Sequence, residues 1–277
     1  MQQYIIDAFT DQPFSGNPAA VCLPDIPLAD TDMLKIAAEN NLSETAFVSA
    51  CPGGYTLRWF TPATEVDLCG HATLAAACAV FTWLEPQAES VCFHTRSGPI
   101  TVRRREDMLE MLLPVWEQKE IPVTAEMTAA FGARPDLALL GTDLVCVFPD
   151  EETVRSLTPA PDLLSRLPGR LQNATAPGRN ADCASRSFAP ALGIAEDPVC
   201  GSAHCQIAPF WSSRLRKNTI CAEQVSARGG KMVCEQLDGK TMAVRAHAVP
   251  ILAGQILAFP TAAPDLPPQT SARSRGR

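Results

Sequence analysis

The chain opens on a short apolar run at residues 3–9, QYIIDAF, which predicts a strand, and the turn chemistry of Ser15-Gly16-Asn17-Pro18 separates it from a second strand at 19–23. Met33, Leu34, Ala37 and Ala38 then recur at helical spacing, so a helix capped by Asp30 or Thr31 is expected to run to Asn40, with a short strand after it at 45–49. At 55–61 Tyr55, Leu57 and Trp59 alternate with Thr56 and Arg58, the period of a half-buried strand. A small-residue helix is expected at 72–84. Extended pieces at 90–95, 100–105 and 108–113, joined at Ser97-Gly98-Pro99 and Glu106-Asp107, predict an antiparallel meander.

Two prolines around a polar run at 114–122 mark a domain boundary. Beyond it the pattern predicts a helix at 124–131 stopped by Gly132, a strand at 144–148 and a helix at 151–157. The stretch 159–184 is rich in Pro, Gly and Asn and carries little readable pattern. Residues 185–188 are extended, and a helix at 202–215 contains Pro209, which predicts a kink or an early break. Strands at 219–227, 231–237 and 240–249, joined at Gly229-Gly230 and Asp238-Gly239, repeat the meander.

The stretch TPATEVDLCGHATLAAACAVF at 61–81 organises the first half: an extended segment stops, a Cys-Gly-His step follows and a helix begins. Gly70 lets the backbone approach a ligand closely, and the N–H groups of His71, Ala72 and Thr73 lack helical partners. A helix start of this kind suits a carboxylate or enolate oxygen. EDPVCGSAHCQIAPFW at 196–211 repeats the step, with Cys200-Gly201-Ser202 standing for Cys69-Gly70-His71, about half the chain length further on. The protein therefore divides into two similar halves, 1–116 and 117–260, each aiming a helix start at a shared cleft. The tail at 261–277 is Pro-rich and then basic, and is expected to be disordered.

The 277 residues carry 23 basic and 30 acidic side chains, a net charge of −7, which argues against nucleic acid as a partner. No apolar run reaches the ~20 residues needed to span a membrane. The N-terminus has no basic leader, so a cytoplasmic location is expected. Eleven cysteines without any C-x-x-C read, in a reducing compartment, as free thiols buried as small hydrophobes.

NLSETAFV at 41–48, LCGHAT at 68–73, SRSFAPALGIAEDPVCGSAH at 185–204 and the opening IIDAFTDQPFSGNPAAV resemble the signature stretches of the phenazine-biosynthesis (PhzF-like) isomerase family. The likeness covers most of the chain, in order and at the family's spacing. It implies an α+β fold of the diaminopimelate-epimerase type: two pseudo-symmetric domains, each a mixed or antiparallel sheet wrapped around a central helix, with the active site between them. It also implies homodimers, a small carboxylate substrate and no cofactor. Glu44 of the Ser43-Glu44 step matches the family's general acid/base, His71 and Asp197 its supporting pair, and Gly70, Ala72, Gly201 and Ser202 the positions that bind the substrate carboxylate. A carboxyl whose pKa is raised by burial can both take and return a proton.

Read without the likeness, Glu44 is an ordinary surface acid, His71 a structural histidine, Asp197 a turn former, and the glycines and Ser202 helix caps. Cys69 and Cys200 keep a second chemistry open. In related epimerases and proline racemases two thiols in Cys-Gly steps face each other across the substrate carbon, and a thiol at a helix start has a lowered pKa. The phenazine enzyme lacks that pair, and burial as plain hydrophobes explains both cysteines equally well. A third possibility is a ligand-binding member without activity. A metal site from Cys69, His71, Cys200 and His204 ranks below these, since the close ligand spacing is missing, and no resident metal is expected. Neither a dinucleotide or phosphate loop nor a G-x-S-x-G step is present.

Overall fold

A computed structural model describes residues 1–257; residues 258–260 and the expected tail at 261–277 lie outside them. The strands follow one another in one hydrogen-bonded ladder. It begins Ala248–Gln255, Gln2–Ala8, Asn17–Leu23, Glu44–Cys51, Gly54–Phe60, Ser90–Thr95, Gly98–Arg105 and Met108–Pro114. It continues through Thr241–Ala246, Gly230–Gln236, Thr219–Gln224, Cys183–Ala189, Gln172–Pro177, Leu144–Val147, Leu137–Leu140 and Lys119–Ile121.

The ladder reads the same from both ends. Asn17–Leu23 and Glu44–Cys51 run parallel across the helix Asp30–Asn40, as Leu144–Val147 and Gln172–Pro177 do across the short helices Glu151–Ser156 and Pro161–Leu164. Gly54–Phe60 and Ser90–Thr95 run parallel across the helix Gly70–Ala79, matched by Cys183–Ala189 and Thr219–Gln224 across His204–Leu215. The closure is reciprocal. Lys119–Ile121 follows the first meander but pairs with the second half's first strand, while Ala248–Gln255 follows the second meander and pairs with Gln2–Ala8. At the junction Met108–Pro114 pairs with its own counterpart, Thr241–Ala246.

Helix Gly70–Ala79 is buried at every position from His71 to Ala79 and packs against the strands Asn17–Leu23, Gln2–Ala8, Ala248–Gln255 and Glu44–Cys51. A helix enclosed on all sides needs no polar face, and its alanines let several strands come close at once. The architecture is thus α+β, with sheet wrapped around a central helix in each half.

His204–Leu215 is one unbroken helix despite Pro209, so the predicted break does not occur. Proline removes the N–H that would reach the Cys205 carbonyl. That carbonyl instead accepts from the Trp116 amide at 3.0 Å, and Gln118 Nε2 donates to the next one, Gln206 O, at 2.9 Å. The linker between the halves is thereby stitched to the helix. This helix begins at His204 rather than 202. The first central helix stays α only to Ala79, and Val80–Leu84 continues as a wider π turn. No side chain caps Asp30–Asn40; Ala29 holds the cap position. The strands Leu137–Leu140 and Gln172–Pro177 were not expected. The second is polar in sequence because Asn173 and Thr175 face inward, where Trp211 Nε1 donates to Thr175 Oγ1 at 2.9 Å.

Candidate functional site

Three element starts converge beside the first Cys-Gly corner. Asn17 opens its strand directly after Gly16, which takes φ +68°; a Cβ there would meet the Ala8 carbonyl at 2.2 Å, so only glycine fits. Glu44 opens the neighbouring strand, in register with Ala19, shortly after the left-handed residue Asn41 (φ 50°). His71 lies in the first turn of the central helix. The fully buried Asn17 side chain is the hub: Nδ2 donates to Asp197 Oδ1 at 2.8 Å and to Val199 O at 3.0 Å, and lies 3.2 Å from His71 Nδ1. Asn17 thus ties the first half's histidine to the second half's aspartate.

His71 Nδ1 faces the Asn17 amide and, at 3.5 Å, the Cys69 thiol. Nε2 lies 3.2 Å from Glu44 Oε2 and 3.4 Å from Ser43 Oγ. The Glu44 contact is close but out of line for a hydrogen bond, so among the described residues this buried carboxylate oxygen has no bonded partner.

The second corner is built likewise. Cys200 N donates to Gln224 Oε1 at 2.9 Å while Gln224 Nε2 donates to Asp197 O, which fixes the 197–200 turn. His204 Nδ1 lies 2.9 Å from Cys200 O, holding the histidine to its own helix start. Both corners close over one side chain: a Cβ on Gly70 would lie 3.2 Å from the Met111 methyl, and one on Gly201 3.8 Å from it and 3.0 Å from Phe9 Cζ. Among the described residues, the amides of Gly70, His71, Gly201 and Ser202 donate to no backbone carbonyl, whereas the Thr73 amide, expected to be free, donates to Cys69 O at 3.1 Å because the helical turn already closes there. Those of Ala72 and Ala203 face the sulfurs of Cys69 and Cys200.

Burial sets the charge states. It raises the Glu44 carboxyl above its ordinary value, against bonds from Ser43 and Cys69 that pull it down. Asp197 is also raised, by burial first, with His71 opposing. His71 is pushed down to about 4 and is neutral at pH 7. Cys69 and Cys200 are both driven well above the usual thiol value by burial, reinforced by Glu44 at the first and Asp197 at the second. The lowered thiol pKa expected from the helix starts is therefore overturned: desolvation and adjacent carboxyls outweigh the amides of Ala72 and Ala203.

The structure thus gathers Glu44, Cys69, His71, Asp197 and Cys200 with the amides of Gly70, Ala72, Gly201 and Ser202. His204 stands apart, facing its own helix. Ligand atoms of Glu44, Cys69 and His71 lie within 4.8 Å of one another and are of types that hold zinc. A separate cavity of about 390 Å³, lined by Phe9, Arg228, Lys231, Arg245 and His247 among others, includes none of these residues. Sequence reasoning missed Asn17, read only as a turn residue, and Gln224 and Arg170. A buried asparagine opening an apolar strand is the one signal that pointed to the first.

A model of the phenazine biosynthesis-like protein family matches residues 6–254. The chain is 45% identical over 252 residues to an uncharacterized isomerase of Pseudomonas aeruginosa, covering 91% of this chain and 96% of the relative. A crystal structure of a PhzF family protein from Enterococcus faecalis superposes with a TM-score of 0.89 at 43% identity, covering 91% of this chain and 97% of that one. A probable proline racemase from Agrobacterium radiobacter shares the fold at a TM-score of 0.61 and 10% identity, over 94% and 93% of the two chains. With its paired Cys-Gly corners, this chain belongs to the phenazine biosynthesis-like (PhzF) protein family.

Proposed function

We propose that the protein is a cofactor-independent isomerase that moves a proton between carbons of a small carboxylate-bearing substrate, with Glu44 as the acid/base. The observation that carries this reading is the Glu44 carboxyl itself. Its side chain is 12% exposed, one oxygen has no bonded partner among the described residues, and it stands beside the first Cys-Gly corner, where the Gly70 and His71 amides donate to no backbone carbonyl. A carboxylate with one oxygen lacking a donor is a stronger base than one bonded at both.

In the proposed step Glu44 removes a proton from a carbon next to the substrate carboxylate. The C–H electron pair moves into the conjugated system, and the negative charge is received by the amides of Gly70, His71, Gly201 and Ser202. Neutral His71 stands beside Glu44, and Asp197 is tied to it through Asn17. Glu44, its proton open to exchange with solvent, then protonates a different carbon, so substrate and product have the same composition. Incubation with small carboxylic acids in D₂O is expected to place deuterium on carbon, read by NMR. Acids that bind without any exchange would instead mark a ligand-binding protein.

The two-thiol reading is kept alive by the corners facing each other over Met111. It suffers from the cost of forming either thiolate among carboxyls. Cys69→Ser and Cys200→Ser are each expected to keep exchange within about tenfold of the parent, since a hydroxyl can replace the thiol as a donor. Loss of exchange in both variants with the fold intact, by circular dichroism, would transfer the proton chemistry to the sulfurs.

A further inference from the structure

Arg170 is the charged side chain beside the second corner that the scheme above leaves unused. Its Nε and Nη2 pair side-on with the fully buried Asp143, at 3.1 Å to Oδ1 and 3.2 Å to Oδ2, and its guanidinium lies over the Trp116 ring at 5.3 Å. The remaining Nη2 hydrogen goes to Ser202 Oγ at 2.9 Å, and that oxygen is 3.4 Å from Cys200 Sγ. Gln206 holds the other side of Asp143, accepting from its amide at 2.6 Å and donating to its carbonyl at 3.1 Å. Arginine carries more rotamer freedom than almost any side chain, and here that freedom is removed by three separate partners.

The planar fork fixes where the unused donors point. With the side-on edge taken by Asp143, the Nη2–H that reaches Ser202 belongs to the end-on edge, and a guanidinium aims the two end-on hydrogens in parallel. One Nη1–H therefore points alongside the Nη2–H that meets Ser202 Oγ. Among the described residues Nη1 donates to nothing, and the side chain is 41% exposed. A purely structural Asp143–Arg170 pair would not need this edge turned toward a residue of the cleft.

We infer that Arg170 is a specificity residue: its Nη1–H beside the Ser202 hydroxyl receives a second carboxylate, so the preferred substrates are small dicarboxylic acids. The inference rests on the proton-transfer reading. The first carboxylate lies between the helix-start amides near Glu44, and the second is placed at the Ser202 end. Lysine at position 170 keeps the charge against Asp143 but loses the parallel donors.

The test measures kcat and KM for deuterium incorporation with dicarboxylic acids and their half-amides, in the parent and in Arg170→Lys. Expected is a KM lower for the diacids by roughly 10- to 100-fold in the parent. In Arg170→Lys that preference should shrink to about threefold or less while kcat on the half-amides holds. Should Arg170→Lys fail to fold, Arg170→Gln combined with Asp143→Asn removes both charges together and serves in its place. Equal KM values for diacid and half-amide in the parent, or equal losses on both in the variant, overturn the role of Arg170 and leave the proton transfer standing. If no acid exchanges, the proton-transfer reading fails, and calorimetric binding of the same pairs decides Arg170 by the same preference.

Discussion

Glu44→Gln is expected to lower carbon–proton exchange by about 10²- to 10⁴-fold, the usual worth of a positioned acid/base, and at the same time to make the protein more stable at neutral pH. Glutamine keeps the shape but cannot take a proton. The stability gain follows from linkage. Burial raises the Glu44 pKa in the folded state, so the folded protein binds this proton more tightly than the unfolded chain does. The resulting penalty is absent below the unfolded value near 4.5, sets in as pH rises, and is complete above the raised folded value. Glutamine removes it. Melting temperatures of the two proteins should therefore coincide near pH 4 and diverge toward pH 8, with the variant higher by about 2–4 °C for each kcal/mol released. The parent's kcat/KM should rise on an acid limb centred above 4.5, since the base must be ionised. Exchange within threefold of the parent, or a variant that melts lower at pH 8, would remove Glu44 from the chemistry.

Much of this arrangement was legible in the sequence because it is local. The meander strands are separated by turn residues, and the Ser90–Thr95 strand was placed to the residue. The Cys-Gly corners declare themselves by repetition, with Gly70 and Gly201 both seated on Met111. What was hidden depends on contacts far apart in the chain. Pro209 reads as a helix breaker until Trp116, more than ninety positions earlier, supplies the missing donor. Gln172–Pro177 does not read as a strand because its inward face is polar, and the partner of Thr175 on that face, the Trp211 indole, lies 36 positions away in the chain. The thiols read as activated because a helix start is visible in sequence, whereas their burial among Glu44 and Asp197 is not.

Asn17 is the residue on which the two halves depend, and replacing it should show that in two different ways. Asn17→Leu keeps the branched shape but strips the donors from Asp197 Oδ1 and Val199 O, both inside the protein. A buried acceptor left without its partner costs about 1–3 kcal/mol, so a fall in melting temperature of roughly 2–12 °C is expected. Exchange should drop by about tenfold or more as His71 loses its contact with Asn17. Asn17→Asp is nearly the same shape and acts through charge instead. It sets a second carboxylate where Nδ2 now lies 2.8 Å from Asp197 Oδ1, and like charges so close cannot both ionise. The folded pair must hold a proton that the unfolded chain releases near pH 4. Its folded pKa is thus raised: the penalty is absent below that unfolded value and grows as pH climbs through the raised one. The melting-temperature gap between Asn17→Asp and the parent should accordingly be small at pH 4 and widest near pH 8, whereas the Asn17→Leu gap is already present at pH 4. A gap for Asn17→Asp that does not change with pH would mean that position 17 does not face Asp197, and the link between the two halves would have to run elsewhere.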